Sequence, residues 1–412
     1  MTDTGLGSDA RGRPSETGLR VSLQEARPND PRLADRAGEW RSAYVHIPFC
    51  AHRCPYCDFA IVDESASETS EHERYVDAVV AEIAMEGTFG GLDAVNFGGG
   101  TPSLLTVPQL RRILDALRSQ FGFHENAEIS LETNPEDVTP QFSENLADVG
   151  FTRMSIGAQS FDGALLGVLG RNHAVESAAG AVADARAAGF GSVSIDLIYG
   201  HPGESDASWR RTVEQAIDLP VDHISTYALT VERGTTLSRE ILDGAPYPDG
   251  DIQADRYELF CEKSAMAGFT RYEVSNHARD GHVCVYNLST WAHGEYVAFG
   301  LGAHDHRHGL RSRNHRRLDR YLDAVEAGYR PRLGSESLSV FEQERDRFML
   351  GLRLAAGTPL TGFGRAFLAT GSGMRLLNAR VVKVSAERVV VSDPMLTDTV
   401  AREALSVSLN DC

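Results

Sequence analysis

The sequence predicts an α/β fold, a partial (β/α)6 barrel followed by a small C-terminal α+β domain. Three observations lead there. Short β-type runs alternate with helix-type stretches over most of the chain, the pattern of parallel strands joined by crossover helices. Six such units can be read, fewer than the eight that close a full barrel, so the barrel should be open. Near residues 330–337 the alternation stops.

The 412 residues exceed one small domain and suggest a barrel-sized core plus a smaller module. Residues 1–41 are rich in Arg, Asp, Gly, Ser and Pro with almost no apolar periodicity. They predict a disordered tail with no ordered helix. A barrel is expected over residues 42–285, with β-type runs at Ala43–Ile47, Asp93–Phe97, Glu128–Leu131, Thr152–Ile156, Ser192–Ile198 and His223–Tyr227. Ser70 with Glu73, and Thr106 with Gln109, have the spacing of helix start signals. Residues 286–334 read as a connecting segment. Residues 335–412 read as the α+β domain, with a helix over Phe341–Leu354, a loop at Gly357 and Pro359, a second helix and a β-type run at Arg388–Ser392. That domain is expected to cover the barrel or to support a homodimer.

With 40 Lys+Arg against 58 Asp+Glu the formal charge is −18, so a phosphate backbone is repelled on average and nucleic acid is a poor partner. No stretch approaches the roughly 20 apolar residues of a membrane span, and Met1 to Trp40 lacks the apolar core of a signal peptide. These features predict a soluble, cytoplasmic protein.

Three of the six cysteines crowd into eight positions, at the spacing C-x3-C-x2-C, directly after the first β-type run: Cys50, Cys54 and Cys57. Such crowding points to metal or cofactor chemistry, whereas Cys261, Cys284 and Cys412 are scattered. Three thiolates on a 4Fe–4S cluster would leave one iron open to an outside ligand such as S-adenosylmethionine (SAM). Pro48 and Pro55 exclude a regular helix through the loop. A zinc site completed by His46 or His52 is the competing reading of the same thiols.

The string Val45-His-Ile-Pro-Phe-Cys50, with Cys54-Pro-Tyr-Cys57-Asp-Phe59 and Asn96-Phe-Gly-Gly-Gly-Thr-Pro-Ser103, resembles the radical SAM family of oxygen-independent coproporphyrinogen III oxidases and their HemW relatives. Further blocks like the family's are Leu131-Glu-Thr-Asn-Pro135, Ser155–Ser160, Gly170-Arg-Asn-His173, Ile195–Pro202 and Gly300–His304. The resemblance runs from about Tyr44 to the end. It implies a radical SAM type of barrel, a 4Fe–4S cluster, and SAM held by Tyr44, Phe59, Gly99, Gly100, Thr101, Glu132, Gln159, Arg171 and Asp196. Glycines after a strand let backbone amides approach a ligand, and Arg can pair with a carboxylate. Read without the resemblance, Glu132 and Asp196 are equally caps of turns, and Arg171 a surface charge.

In the oxidases a fourth cysteine follows two positions after the third; here that position is Phe59. This resembles HemW, a family associated with haem binding and delivery, and implies haem as a ligand and haem-accepting client proteins as partners. The competing reading is a radical SAM oxidoreductase that oxidatively decarboxylates coproporphyrinogen III. Both place the chain in porphyrin metabolism. A third reading is a zinc-stabilised binding module. HemW chains typically carry His-Asn-x-x-Tyr-Trp, whereas this chain reads Tyr286-Asn-Leu-Ser-Thr290-Trp291. Tyr286, Cys284 and His282 are therefore the candidate haem ligands, since iron accepts Tyr, Cys or His. His304, His306 and His308 alternate as on one strand face; the basic loop that follows favours an exposed surface strand over a metal site.

Overall fold

The structure is a computed structural model and describes residues 26–66 and 71–408. Residues 1–25 of the expected tail, Ser70 and Cys412 lie outside the described residues. Six parallel strands form the centre: β1 (Arg41–Ile47), β2 (Leu92–Gly99), β3 (Phe123–Thr133), β4 (Arg153–Gln159), β5 (Ser192–Tyr199) and β6 (His223–Ala228). They pair side by side in chain order. Each connection carries a helix, as parallel pairing requires. The helix between β2 and β3, Val107–Phe121, opens on a capping box of Thr106 and Gln109. It buries Leu110, Ile113, Leu114, Leu117 and Phe121, the i, i+3, i+4, i+7 stripe that faces the sheet.

The sheet is curved. Inward residues of five neighbouring strands meet around one small cavity of about 80 Å³: Asn96, Ser130, Arg153, Ser194 and His223 among them. Side chains on a strand alternate between faces, so Ser130 and Glu132, Ser155 and Arg153, and Ser194 and Asp196 share the inner face. The usual apolar filling of a barrel is replaced here by polar and charged side chains, from Ser130 and Ser194 to Arg153 and His223. The outer faces of the strands are apolar and pack under the helices in one large core that includes Val45, Val95, Leu131, Ile156 and Ile195.

Two expectations need correction. The segment before Tyr44 is ordered from residue 26: Pro31–Ala37 is a helix capped by the Asp30 side chain, with Pro31 at its first position. Leu33, Ala37 and Trp40 are buried against Tyr272, Leu288 and Leu354. Apolar contact holds this helix, and so few apolar residues carry no periodic signal in the sequence. Residues 286–334 are likewise no mere connector. Helix Val285–Trp291 leads into β7 (Glu295–Phe299), which pairs parallel with the free side of β1. An antiparallel ribbon of β8 (His304–Arg307), β9 (Leu310–Asn314) and β10 (Arg332–Ser337) then extends the sheet.

Residues 341–407 carry a separate apolar core around Phe348, Phe363, Phe367 and Val389, built from helices and a three-stranded sheet. Arg388 ties it to the N-terminal helix through Asp35 at 2.6 Å. Among the described residues no helix is long and apolar enough to cross a membrane.

Candidate functional site

The C-terminal ends of β1 to β6 open into a cavity of about 630 Å³. Cys50, Cys54 and Cys57 all line it. The loop that carries them leaves β1, forms a two-residue strand at Phe49–Cys50, and returns through Val62–Asp63 paired parallel to it. Arg53 holds the return, donating to the carbonyls of Cys57 at 3.2 Å and Ile61 at 3.4 Å. Burial pushes the Cys50 thiol up to about 11, against a hydrogen bond from Thr101.

Next to the thiols the chain turns at Gly98-Gly99-Gly100. Gly99 has φ +110, where only glycine is at ease. A Cβ on Gly100 would stand 2.7 Å from the carbonyl oxygen of Phe49, so side chains are excluded between this turn and the cysteine loop. Gly100 and Thr101 instead donate their amides to the carbonyls of Ile47 and Phe49, both at 2.8 Å.

Glu132, at the end of β3, accepts from the Gly99 amide at 3.3 Å and from Asn96 Nδ2 at 3.2 Å. Burial raises its carboxyl to about 7, and the neighbouring Asp196 adds to the rise. Asp196 is also raised by burial, against hydrogen bonds from Ser225 and Ser155. The Ser155 hydroxyl reaches it at 3.0 Å. Two buried carboxylates on one wall favour a cationic guest, such as a sulfonium or an ammonium group. Gln159 ends β4 at a break in register, with φ 61, a conformation unusual for a residue with a side chain. Arg171 follows from the next loop, and its guanidinium lies 3.9 Å from Cys54 Sγ.

The structure thus brings Phe59, Gly99, Gly100, Thr101, Glu132, Gln159, Arg171 and Asp196 to the same cavity as the three thiols. Phe59 is 58% exposed at its mouth. Tyr44 is not among the lining residues: its hydroxyl pairs with His46 Nδ1 at 3.1 Å, and its ring stacks on Tyr286. Tyr56, between the second and third cysteines, is a further aromatic that lines the cavity beside the thiols. Asn134, Ser155 and Tyr227 line it too. The signal for Asn134 was its place two residues after Glu132, just past the same strand end; for Ser155 it was alternation with Arg153 on one face.

The candidate haem ligands do not line this cavity. Cys284 is buried at the start of helix Val285–Trp291, Tyr286 packs on Tyr44, and His282 hydrogen-bonds Ser192 Oγ at 2.8 Å. Of the histidine run, His304 and His308 are exposed as expected, but His306 is buried, with its ring 4.5 Å from that of His293, and Asp305 is buried beside it. The cause is the ribbon, which folds β8 between β7 and β9.

The donor set fits a cluster better than a lone ion. Among the described residues no three His, Cys, Asp or Glu side chains converge closely enough to hold a single metal ion. His46, a suggested fourth zinc ligand, spends its ring nitrogens on Tyr44 and on the carbonyl of Ala60 at 2.8 Å. Three thiols spread around a cavity, beside glycine backbone that excludes side chains, suit a larger group with one face left open.

A family model described as the Radical SAM superfamily matches residues 44–216. The Heme chaperone HemW of Mycobacterium tuberculosis strain H37Rv is 39% identical over 342 residues, 82% of this chain and 87% of that protein. The Heme chaperone HemW of Lactococcus lactis strain IL1403 is 32% identical, over 85% and 93%. Among solved structures, coproporphyrinogen III oxidase (HemN) from Escherichia coli superposes with a TM-score of 0.77 over 91% of this chain and 92% of that one, at 21% identity, a likeness of fold. By these matches the chain belongs to the HemW family of radical SAM proteins.

Proposed function

We propose that this protein is a haem chaperone: it binds haem, SAM and a 4Fe–4S cluster and hands haem to client proteins in the cytoplasm. The observation that carries the reading is the cavity itself. Three thiols, a glycine turn, two raised carboxyls and one arginine share its wall, and Phe59 stands where a fourth cysteine would mark an oxidase.

In this reading Cys50, Cys54 and Cys57 hold the cluster, which supplies an open iron and one electron at low potential. Glu132 and Asp196 face the positive groups of SAM. Arg171 faces its carboxylate. Tyr227 and Phe59 line the cavity beside these groups. A chaperone need not consume SAM. An oxidase must cleave it on each turnover.

The HemW-named relatives support delivery of haem. The C-terminal domain is the part we assign to client contact or to a homodimer. The anaerobic test is release of 5′-deoxyadenosine in the presence of coproporphyrinogen III. No release above background is expected; stoichiometric release with decarboxylation would establish the oxidoreductase instead.

A further inference from the structure

Asn134 joins the two side chains that reach the cluster thiols. Its Nδ2 donates to Thr101 Oγ1 at 3.5 Å, and its Oδ1 accepts from Arg171 Nη2. On their far sides, Thr101 Oγ1 lies 3.6 Å from Cys50 Sγ and Arg171 Nη1 3.9 Å from Cys54 Sγ. A hydroxyl has a single proton. Because Thr101 accepts from the amide of Asn134, that proton is free to point at the sulfur. Arg171 is steadied by a second acceptor, the carbonyl of Gly157 at 3.3 Å.

Asn134 is itself pinned. Its backbone amide donates to Ser103 Oγ at 3.3 Å, and its carbonyl accepts from Asp137 at 3.1 Å in the turn after β3. The side chain is therefore aimed from a fixed backbone, and Thr101 is nearly buried beside it.

We infer that Asn134 is a positioning residue for the iron–sulfur site, orienting the Thr101 hydroxyl onto Cys50 and the Arg171 guanidinium onto Cys54, and thereby setting the reduction potential of the cluster. The inference rests on the proposed reading that these thiols hold a 4Fe–4S cluster. A donor to a ligating sulfur withdraws charge from the cluster, and it stabilises the reduced form, which carries one more electron, over the oxidised form. Removing the donor makes the potential more negative. The electron itself comes from an external one-electron reductant, dithionite in the assay below.

A purely SAM-binding role for the same three side chains predicts something different: altered SAM affinity and an unaltered cluster when SAM is left out. The experiment is an anaerobic redox titration of the reconstituted full chain without SAM, followed by electron paramagnetic resonance. Iron and acid-labile sulfide are measured in each sample. Thr101→Val and Asn134→Leu, which keep bulk and lose the hydrogen bonds, are expected to shift the midpoint to more negative potential. Thr101→Ser is expected to stay with the unmodified chain. Unchanged midpoints in Thr101→Val and Asn134→Leu with full clusters would overturn the inference and leave the cluster reading intact. If Asn134→Leu loads no cluster, Asn134→Ala, which also lacks both hydrogen bonds, takes its place, and an unchanged midpoint there overturns the inference. Absence of acid-labile sulfide from the unmodified chain would overturn both the cluster reading and the inference.

Discussion

The rings of Tyr44 and Tyr286 lie 5.9 Å apart and 19° from parallel, which fastens helix Val285–Trp291 to β1. An offset aromatic pair is worth about 0.5–1.5 kcal/mol beyond the area it buries. Tyr44→Leu and Tyr286→Leu should therefore show a coupling of about 1 kcal/mol in a double-mutant cycle of chemical unfolding. Additive effects would mean that the helix is held by its other contacts alone.

The three cysteines proposed as cluster ligands separate from the other described cysteines by position: they line the cavity and the others do not. Replacing Cys50, Cys54 or Cys57 by Ala should abolish the brown absorption of the anaerobically reconstituted protein. Cys261→Ala should leave it intact, because Cys261 sits 3.6 Å from His277 Nε2 and does not line the cavity. Loss of absorption in Cys261→Ala would contradict the ligand assignment.

Glu132 gives a pH signature. Its carboxyl is raised from the usual 4.5 to about 7 by burial and by Asp196. Below that pH it is neutral in the folded chain; above it the charge forms and attracts the positive groups of SAM. SAM affinity should rise as pH increases through about 7. Glu132→Gln should flatten that rise and, at pH 8, bind roughly tenfold more weakly, the order expected for one charge-assisted hydrogen bond. The sign for folding is opposite. A raised carboxyl favours the folded state at low pH, and this contribution is lost as pH climbs through about 7, so without SAM the Glu132→Gln variant should lose less stability over that range. Isothermal titration across pH 6–8.5 checks the first, and thermal unfolding from the usual 4.5 through about 7 checks the second.

The N-terminal helix is part of the fold. Leu33 is 1% exposed against Leu288 and Leu354. Leu33→Ala should cost about 2–5 kcal/mol in reversible unfolding, the range for a buried leucine that leaves a cavity. A change below 0.5 kcal/mol would show that the helix contributes little.

The six parallel strands were legible because each has an apolar outer face and ends at a glycine, proline or polar cluster. The thiol loop and the glycine turn were legible from spacing. What stayed hidden depends on contacts far apart in the chain. Pro31–Ala37 has a proper cap yet too few apolar residues to announce itself. The strands β8 and β9 alternate histidine, arginine and serine, which reads as solvent-exposed until the ribbon buries His306 and Ser312. Tyr44, a SAM contact implied by the resemblance alone, stacks on Tyr286 and does not line the cavity. The role of Asn134 emerges only once Thr101 and Arg171 stand on either side of it.

Haem titration of the anaerobically reconstituted chain, followed by its Soret absorption, tests the central claim most directly, with Tyr286→Phe, Cys284→Ala and His282→Ala run beside the unmodified protein. The account predicts saturable binding of one haem per chain by the unmodified protein, and loss in a single variant would identify an axial ligand. No saturable binding at all would contradict a haem chaperone and leave a radical SAM protein acting on some other substrate.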